Sequence, residues 1–358
     1  MFGPGAGTRG ARPLSDVVSG QLIAPGGQRR WPPVGWSGPQ HGVLVAAVRA
    51  APSILNTQPW SLRMLPGRVE LYADPRRRLD RLDPGARGLL VSCGAAVTNL
   101  ELAMRHLGYR PGITLLPDGR QPWHVATVRA VGLEAPTRAT EERYAAVAHR
   151  HCHRGPYTRR PVAAQTLRRL LAVGARPGVH VRRIDRPGRL AALAEVLADG
   201  ASRLAADEEA RAELARWVRT PGAAEHDGVP RRTPAGPGQP LPGLFADPMP
   251  VAEPGELTAA LSGRVLIVVG TDQDTRTDAV QTGRSTQDVL LTATAAGLAG
   301  SVIGTVLDVP GLRERLRVRL GLTGTPQLLI RLGWASGRAA GSPRRAPDAF
   351  VIDPLRDS

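Results

Sequence analysis

Lysine is absent from this 358-residue chain: all 47 of its basic residues are arginine. Against 31 acidic residues they leave a formal net charge of +16, a balance that ordinarily raises nucleic acid or an anionic membrane as partner. With 41 Gly and 33 Pro alongside, the same excess is also what a GC-rich coding composition imprints on a solvated surface. Aromatic residues make up only 4 % and form no motif interleaved with basic residues, which argues against nucleic-acid binding. Cysteine is nearly missing. Cys93 and Cys152 are the only two, so no disulfide framework is implied, and a reducing, cytoplasmic location is expected. No apolar run approaches the ~18 residues of a membrane span, and the first 36 residues hold no apolar signal core. That Gly-, Pro- and Arg-rich lead-in, 1–36, is expected to be disordered. No metal site is assigned.

A chain of this length exceeds the roughly 250 to 300 residues at which single cores stop growing, so two lobes or a duplicated core are expected. Apolar spacing predicts a helix from Gln40 to Ala50, running into a turn at Pro52. A hairpin of Ser61 to Leu65 with Arg68 to Ala73 is predicted about Pro66 and Gly67, with Arg76 and Arg77 on a solvated turn beyond it. Next come a helix from Gly94 to Leu107, a strand pair of Ile113 to Leu116 with His124 to Val131, and a helix from Thr140 to His149. Further helices are expected at Ala163 to Val173 and Arg189 to Trp217, and strands at Val265 to Gly270 and Gln327 to Gly333. Gly94 to Gly108 and Gly283 to Gly297 have the same span, and both read as buried apolar helices closed by glycine, a sign of duplication. From 219 to 255 the chain is dense in Pro and Gly, yet Leu241, Leu244, Phe245 and Met249 offer an apolar face that suits a lid.

Two polar segments divide the chemistry between the halves. Pro52 to Trp60 gathers two carboxamides, Asn56 and Gln58, and the Ser53 hydroxyl between prolines that fix φ, an arrangement suited to the edge of a flat heterocycle. The same residues also serve as ordinary turn formers, with Trp60 as a core anchor. Arg150-His-Cys-His-Arg154 concentrates fixed positive charge at a helix exit, suited to a phosphate or simply to a solvated face. Together they suggest a nucleotide-like cofactor, flavin first, held between two halves of one chain.

In order along the chain, Pro-Ser-x-x-Asn-x-Gln-Pro-Trp at Pro52 to Trp60, Ser92 to Ala95, Leu291 to Thr294 before Gly297, Pro326 to Gly333 and Pro343 to Arg345 resemble the nitroreductase superfamily of flavoproteins, in its Acg-like branch. The resemblance spans about Gly42 to Val351. It implies an α+β, nitroreductase-like fold whose two subunits are fused into a single-chain pseudo-dimer, monomeric in solution, with one composite FMN site. The halves would be 37–135 and 136–358, with the lid insertion at 219–255. By position, Pro52, Ser53, Asn56 and Gln58 would reach the flavin ring, with Trp60 packed behind the loop rather than stacked on the flavin. Arg150, His151, Cys152, Arg154, Arg344 and Arg345 would hold the phosphate and ribityl chain, and Ser301, Val302 and Gly304 would line the other face. Cys152 stands where relatives carry Ser or Thr, and Val302 and Thr305 where they often carry Pro and Glu. The implied activity is transfer of electrons from NAD(P)H through FMN to a small-molecule acceptor such as a nitroaromatic or quinone, with no side chain required as general acid. A closed lid would instead make the chain a non-catalytic FMN-sequestering protein.

Overall fold

The computed structural model describes residues 35–220, 224–230, 253–337 and 341–352. The expected disorder of the lead-in falls almost wholly outside these residues, as do Leu241, Leu244, Phe245 and Met249 of the expected lid.

Helix α1 (Gly38–Arg49) opens on a capping box in which Ser37 and Gln40 satisfy each other's backbone N–H groups. A loop over 50–59 leads to β1 (Trp60–Leu65) and β2 (Arg68–Ala73), the predicted hairpin. Helix α2 (Arg87–His106) starts seven residues before its expected position. Its first turn is capped from outside, because the Asp83 carboxylate accepts from the N–H groups of Gly88 and Leu89 at 2.9 and 2.8 Å. Strands β3 (Tyr109–Leu115) and β4 (His124–Leu133) complete four antiparallel members of the first sheet.

The second half begins with α3 (Arg138–His149), capped by Thr137, and α4 (Ala164–Gly174). After β5 (Val179–Ile184), the single helix expected at Arg189 to Trp217 is two, α5 (Pro187–Ala206) and α6 (Glu208–Arg216). Asp207 divides them: its extended backbone ends one helix, and its side chain caps the next by accepting from the Ala210 N–H. A short parallel pair, β6 (Val218–Arg219) and β7 (Val229–Pro230), follows. Then come α7 (Pro254–Leu261), β8 (Val265–Thr271), α8 (Arg276–Ala295), β9 (Ala299–Ile303), α9 (Leu312–Leu320) and β10 (Thr325–Gly333). The second sheet has the order β5-β8-β10-β9, antiparallel throughout.

The architecture is thus α+β, with each sheet served by one long central helix. Helix α1 packs on α2 as α4 packs on α8, and α2 packs along α8. At that crossing the two glycines of the sequence repeat face each other. A Cβ on Gly94 would lie 2.1 Å from the Val280 carbonyl oxygen, and one on Gly283 would lie 1.9 Å from that of Val91. Each glycine meets the residue three positions before the other, the reciprocity expected of a two-fold contact. Sequence order fails in one place: the last strand, β11 (Val351–Ile352), joins the first sheet, parallel to β1. Residues 341–352 therefore return to the first half.

Candidate functional site

The loop over 50–59 has an unusual backbone. Leu55, Asn56 and Gln58 take φ values of 44°, 55° and 48°, left-handed conformations that side chains disfavour and that gather where function over-determines the chain. Local bonds hold it there. Ser53 Oγ accepts from the Gln58 N–H at 2.9 Å, and Ser92 Oγ accepts from the Ile54 N–H at 3.0 Å while donating to Gly88 O at 2.6 Å. Cys93 of the same motif packs beneath, its thiol pushed far up by burial.

The carboxamides act as braces between chain segments. Asn56 Nδ2 donates to Gly228 O at 2.9 Å and Pro343 O at 3.0 Å, and its Oδ1 accepts from Arg344. Gln58 Nε2 donates to His226 O, and its Oε1 accepts from the Arg345 N–H, both at 2.9 Å. Both groups are buried and join the loop to 226–228 and 343–345. Trp60 is fully buried in the first core, behind the loop. Arg345 donates to Gln58 O at 2.9 Å, to Trp60 O at 3.4 Å and to Ala349 O, so its guanidinium braces the loop against the returning segment. Arg77 leaves the solvated turn assigned to it, since it donates to Thr57 O and to Asp227, each at 2.8 Å.

Arg150 and Arg344 behave otherwise. Arg150, at the exit of α3, and Arg344 both donate to Ala50 O, at 3.2 and 3.4 Å, so two guanidiniums converge where α1 ends. Arg150 is buried, its Nε has no partner, and neither arginine forms a salt bridge among the described residues. Burial first, and then the charge of Arg150, push Arg344 down to about 9. His151 keeps solvent contact, yet partial desolvation and the charges of Arg150 and Arg344 hold it below the ordinary imidazole range. Two clustered cations with no carboxylate beside them among the described residues have the chemistry that suits an anion.

Cys152 is half-buried beside this pair and accepts from Arg150 Nη1 at 3.7 Å. A β-bridge from Cys152 to Gly300, with His153 N–H donating to Gly300 O at 2.8 Å, ties the segment carrying Arg154 to β9. Ser301 and Val302 lie on that strand, and Gly304 ends it with open space where a side chain would stand. Leu55 of the loop and Ile303 at the end of β9 belong to the same core cluster.

Sequence reasoning missed three contributors. Arg49 donates to Arg345 O at 2.8 Å and Arg344 O at 3.3 Å and so positions the returning segment. Asp227 bridges Arg77 and Arg219, at 2.8 and 2.6 Å; although burial opposes it, those arginines hold its carboxyl below the usual range. Gly228, at φ 71°, takes the turn that brings both partners of Asn56 and Gln58 into reach. None has a sequence signal beyond turn composition.

The model of the nitroreductase family matches residues 147–334. A Mycobacterium tuberculosis protein named "Putative NAD(P)H nitroreductase Rv3131" is 36 % identical over 298 residues, which are 82 % of this chain and 84 % of that one. A second from that organism, "Putative NAD(P)H nitroreductase acg", is 26 % identical over 303 residues, covering 82 % and 89 %. A solved nitroreductase with bound FMN from Bacteroides fragilis aligns over 61 % of this chain and 99 % of its own, at 16 % identity and a TM-score of 0.38.

Proposed function

Because the chain belongs to the nitroreductase family, we propose that it is an oxidoreductase that binds FMN at the junction of its halves, takes reducing equivalents from NAD(P)H and passes them to a small electrophile such as a nitroaromatic or quinone. The observation that carries this reading is the pair of guanidiniums, Arg150 and Arg344, converging on Ala50 O without a counter-ion among the described residues. FMN fits that donor set. Its phosphate would complete the pair, and the backbone of Pro52 to Gln58 with Ser301, Val302 and Gly304 would flank the ring, where Gly304 leaves room. When bound, the flavin supplies the electron-transfer chemistry.

The residues of the chain bind and orient. Arg150 and Arg344 fix the anionic end, Cys152 offers a weak thiol where a stronger hydroxyl donor would bind more firmly, and Asn56, Gln58 and Arg345 keep the loop in its strained form. Arg49, through two carbonyls, sets the depth of Arg344. The two halves stand in for two subunits, a reading supported by the reciprocal Gly94 and Gly283 contact. One site per chain follows from the links: 50–59 carries the polar loop, whereas the corresponding link from α4 to β5 is only 175–178. There Arg176 pairs with the buried Asp288, which Arg143 also holds at 2.7 Å.

A second reading, FMN sequestration without turnover, has one observation in its favour: 226–228, at the root of the long insertion, closes on both Asn56 and Gln58. Anaerobic mixing with NAD(P)H separates the two. An enzyme bleaches its flavin, a sequestering protein stays yellow, and a protein that takes up no FMN defeats both.

A further inference from the structure

One buried cation plays no part in the site above. Arg331 lies in the middle of β10, an interior strand of the second sheet, and is only 2 % exposed. Its guanidinium sits 4.5 Å from the centre of the Tyr157 ring. It forms no salt bridge among the described residues, and its Nε is buried without a partner. Burial holds its pKa below the ordinary value, against the opposing interaction with Tyr157 and with a smaller push from the charge of Arg264. A buried charge without a counter-ion among the described residues opposes folding, and the neighbouring positions Leu329, Ile330 and Leu332 show that the strand is served by apolar residues. Stability does not account for an arginine here.

Its surroundings point toward the site. Arg331 is the register partner of Ser301 on β9, and directly opposed residues of antiparallel strands project to the same face. The Tyr157 hydroxyl lies 3.5 Å from Ser301 Oγ and 3.4 Å from the carbonyl oxygens of His153 and Arg331. Guanidinium, phenol and Ser301 thus form one polar island against the strand that leads to Gly304. We infer that Arg331 provides a fixed positive charge that raises the reduction potential of a flavin seated along Ser301 to Gly304. The inference rests on the proposed placement of FMN there.

The electrostatic argument is direct. Hydride from NAD(P)H brings two electrons and one proton, leaving NAD(P)⁺ and a flavin one charge more negative than before. A permanent cation in a low-dielectric surrounding favours that form over the oxidised one. Arginine suits the task because burial does not strip its proton, as it does for a buried lysine. Arg331 acts through its field and touches no reacting atom, so it is a positioning residue in the electrostatic sense.

The test is the midpoint potential of FMN bound to the full chain, by anaerobic dye equilibration at pH 7. The wild type binds reduced FMN more tightly than oxidised FMN, giving a potential above that of free FMN. Arg331→Met loses at least tenfold of that preference, a shift of about 30 mV for a two-electron couple. An unchanged potential in folded Arg331→Met overturns the inference. Should that variant not fold, the wild type decides: a bound potential at or below that of free FMN overturns it equally. A chain that takes up no FMN refutes the cofactor reading itself, a result told apart by the absence of any bound chromophore.

Discussion

Placing a methyl group at the crossing of the two central helices tests the duplicated architecture at its tightest point. In Gly94→Ala the new Cβ would stand 2.1 Å from Val280 O, and in Gly283→Ala 1.9 Å from Val91 O. Both obstacles are backbone, so no side chain can swing aside. The helices must part by about 1 Å, which forfeits a quarter to half of the dispersion energy between the facing atoms along the crossing. Overpacking of this kind costs roughly 1 to 3 kcal/mol, and the better helix propensity of alanine returns up to about 1 kcal/mol. A net loss of about 2 kcal/mol is expected for each variant. Since both clashes are relieved by one separation, the double variant should lose less than the sum, with a coupling of about 1 kcal/mol. Gly42→Ala is the control: it lies in α1 with nothing within 4 Å of the added atom, so it should hold or gain stability. Urea titration followed by circular dichroism measures all four. Gly94→Ala as stable as Gly42→Ala, or full additivity of the pair, would refute the reciprocal crossing.

Other expectations follow from the site. Arg150→Met weakens FMN binding by about 1.5 to 3 kcal/mol, the worth of one charge-assisted hydrogen bond to the phosphate, yet raises the urea midpoint of the apoprotein, because an unpaired buried cation is removed; a lower midpoint would contradict the anion-site assignment. Arg345→Ala acts in the opposite sense on the apoprotein, lowering its stability by roughly 2 kcal/mol as the buried carbonyls of Gln58 and Trp60 are deprived of their donor. The Asp83 carboxyl, pushed up to about 6 by burial and by the neighbouring charge of Asp308, is protonated more readily in the fold than in the unfolded chain. Its contribution is therefore complete below the unfolded value of 3.8 and is lost as pH rises through about 6. Asp83→Asn should flatten the stability profile between pH 4 and 7 by up to about 3 kcal/mol relative to wild type, as read from urea midpoints across that range.

The parts of this molecule that announce themselves in sequence are those whose cause is local. The hairpin about Pro66 and Gly67, α1, α3, α4 and the strands β8 and β10 all follow from apolar spacing and turn residues. The matched glycines at Gly94 and Gly283 were visible as a repeat, although only the structure reveals that they touch. What was not visible depends on distant partners. The two-residue strand β11 has no pattern of its own and exists because β1 offers an edge. Arg344 and Arg345 are sequence neighbours with opposite roles, since the latter meets three carbonyls and the former lies beside another cation. Asn56 and Gln58 were legible as a polar cluster, but their partners at His226, Gly228 and Pro343 come from the far half of the chain. Strand β5 and the arginine-rich α9 escaped because charged residues interrupt their apolar spacing.

The central claim is a single composite flavin site between two fused halves. Flavin content per polypeptide, measured together with the solution mass of the FMN-saturated protein by light scattering, tests it most directly. The account predicts one FMN on a monomer of 38.0 kDa. Two FMN per chain, or a site filled only in a dimer, would contradict it.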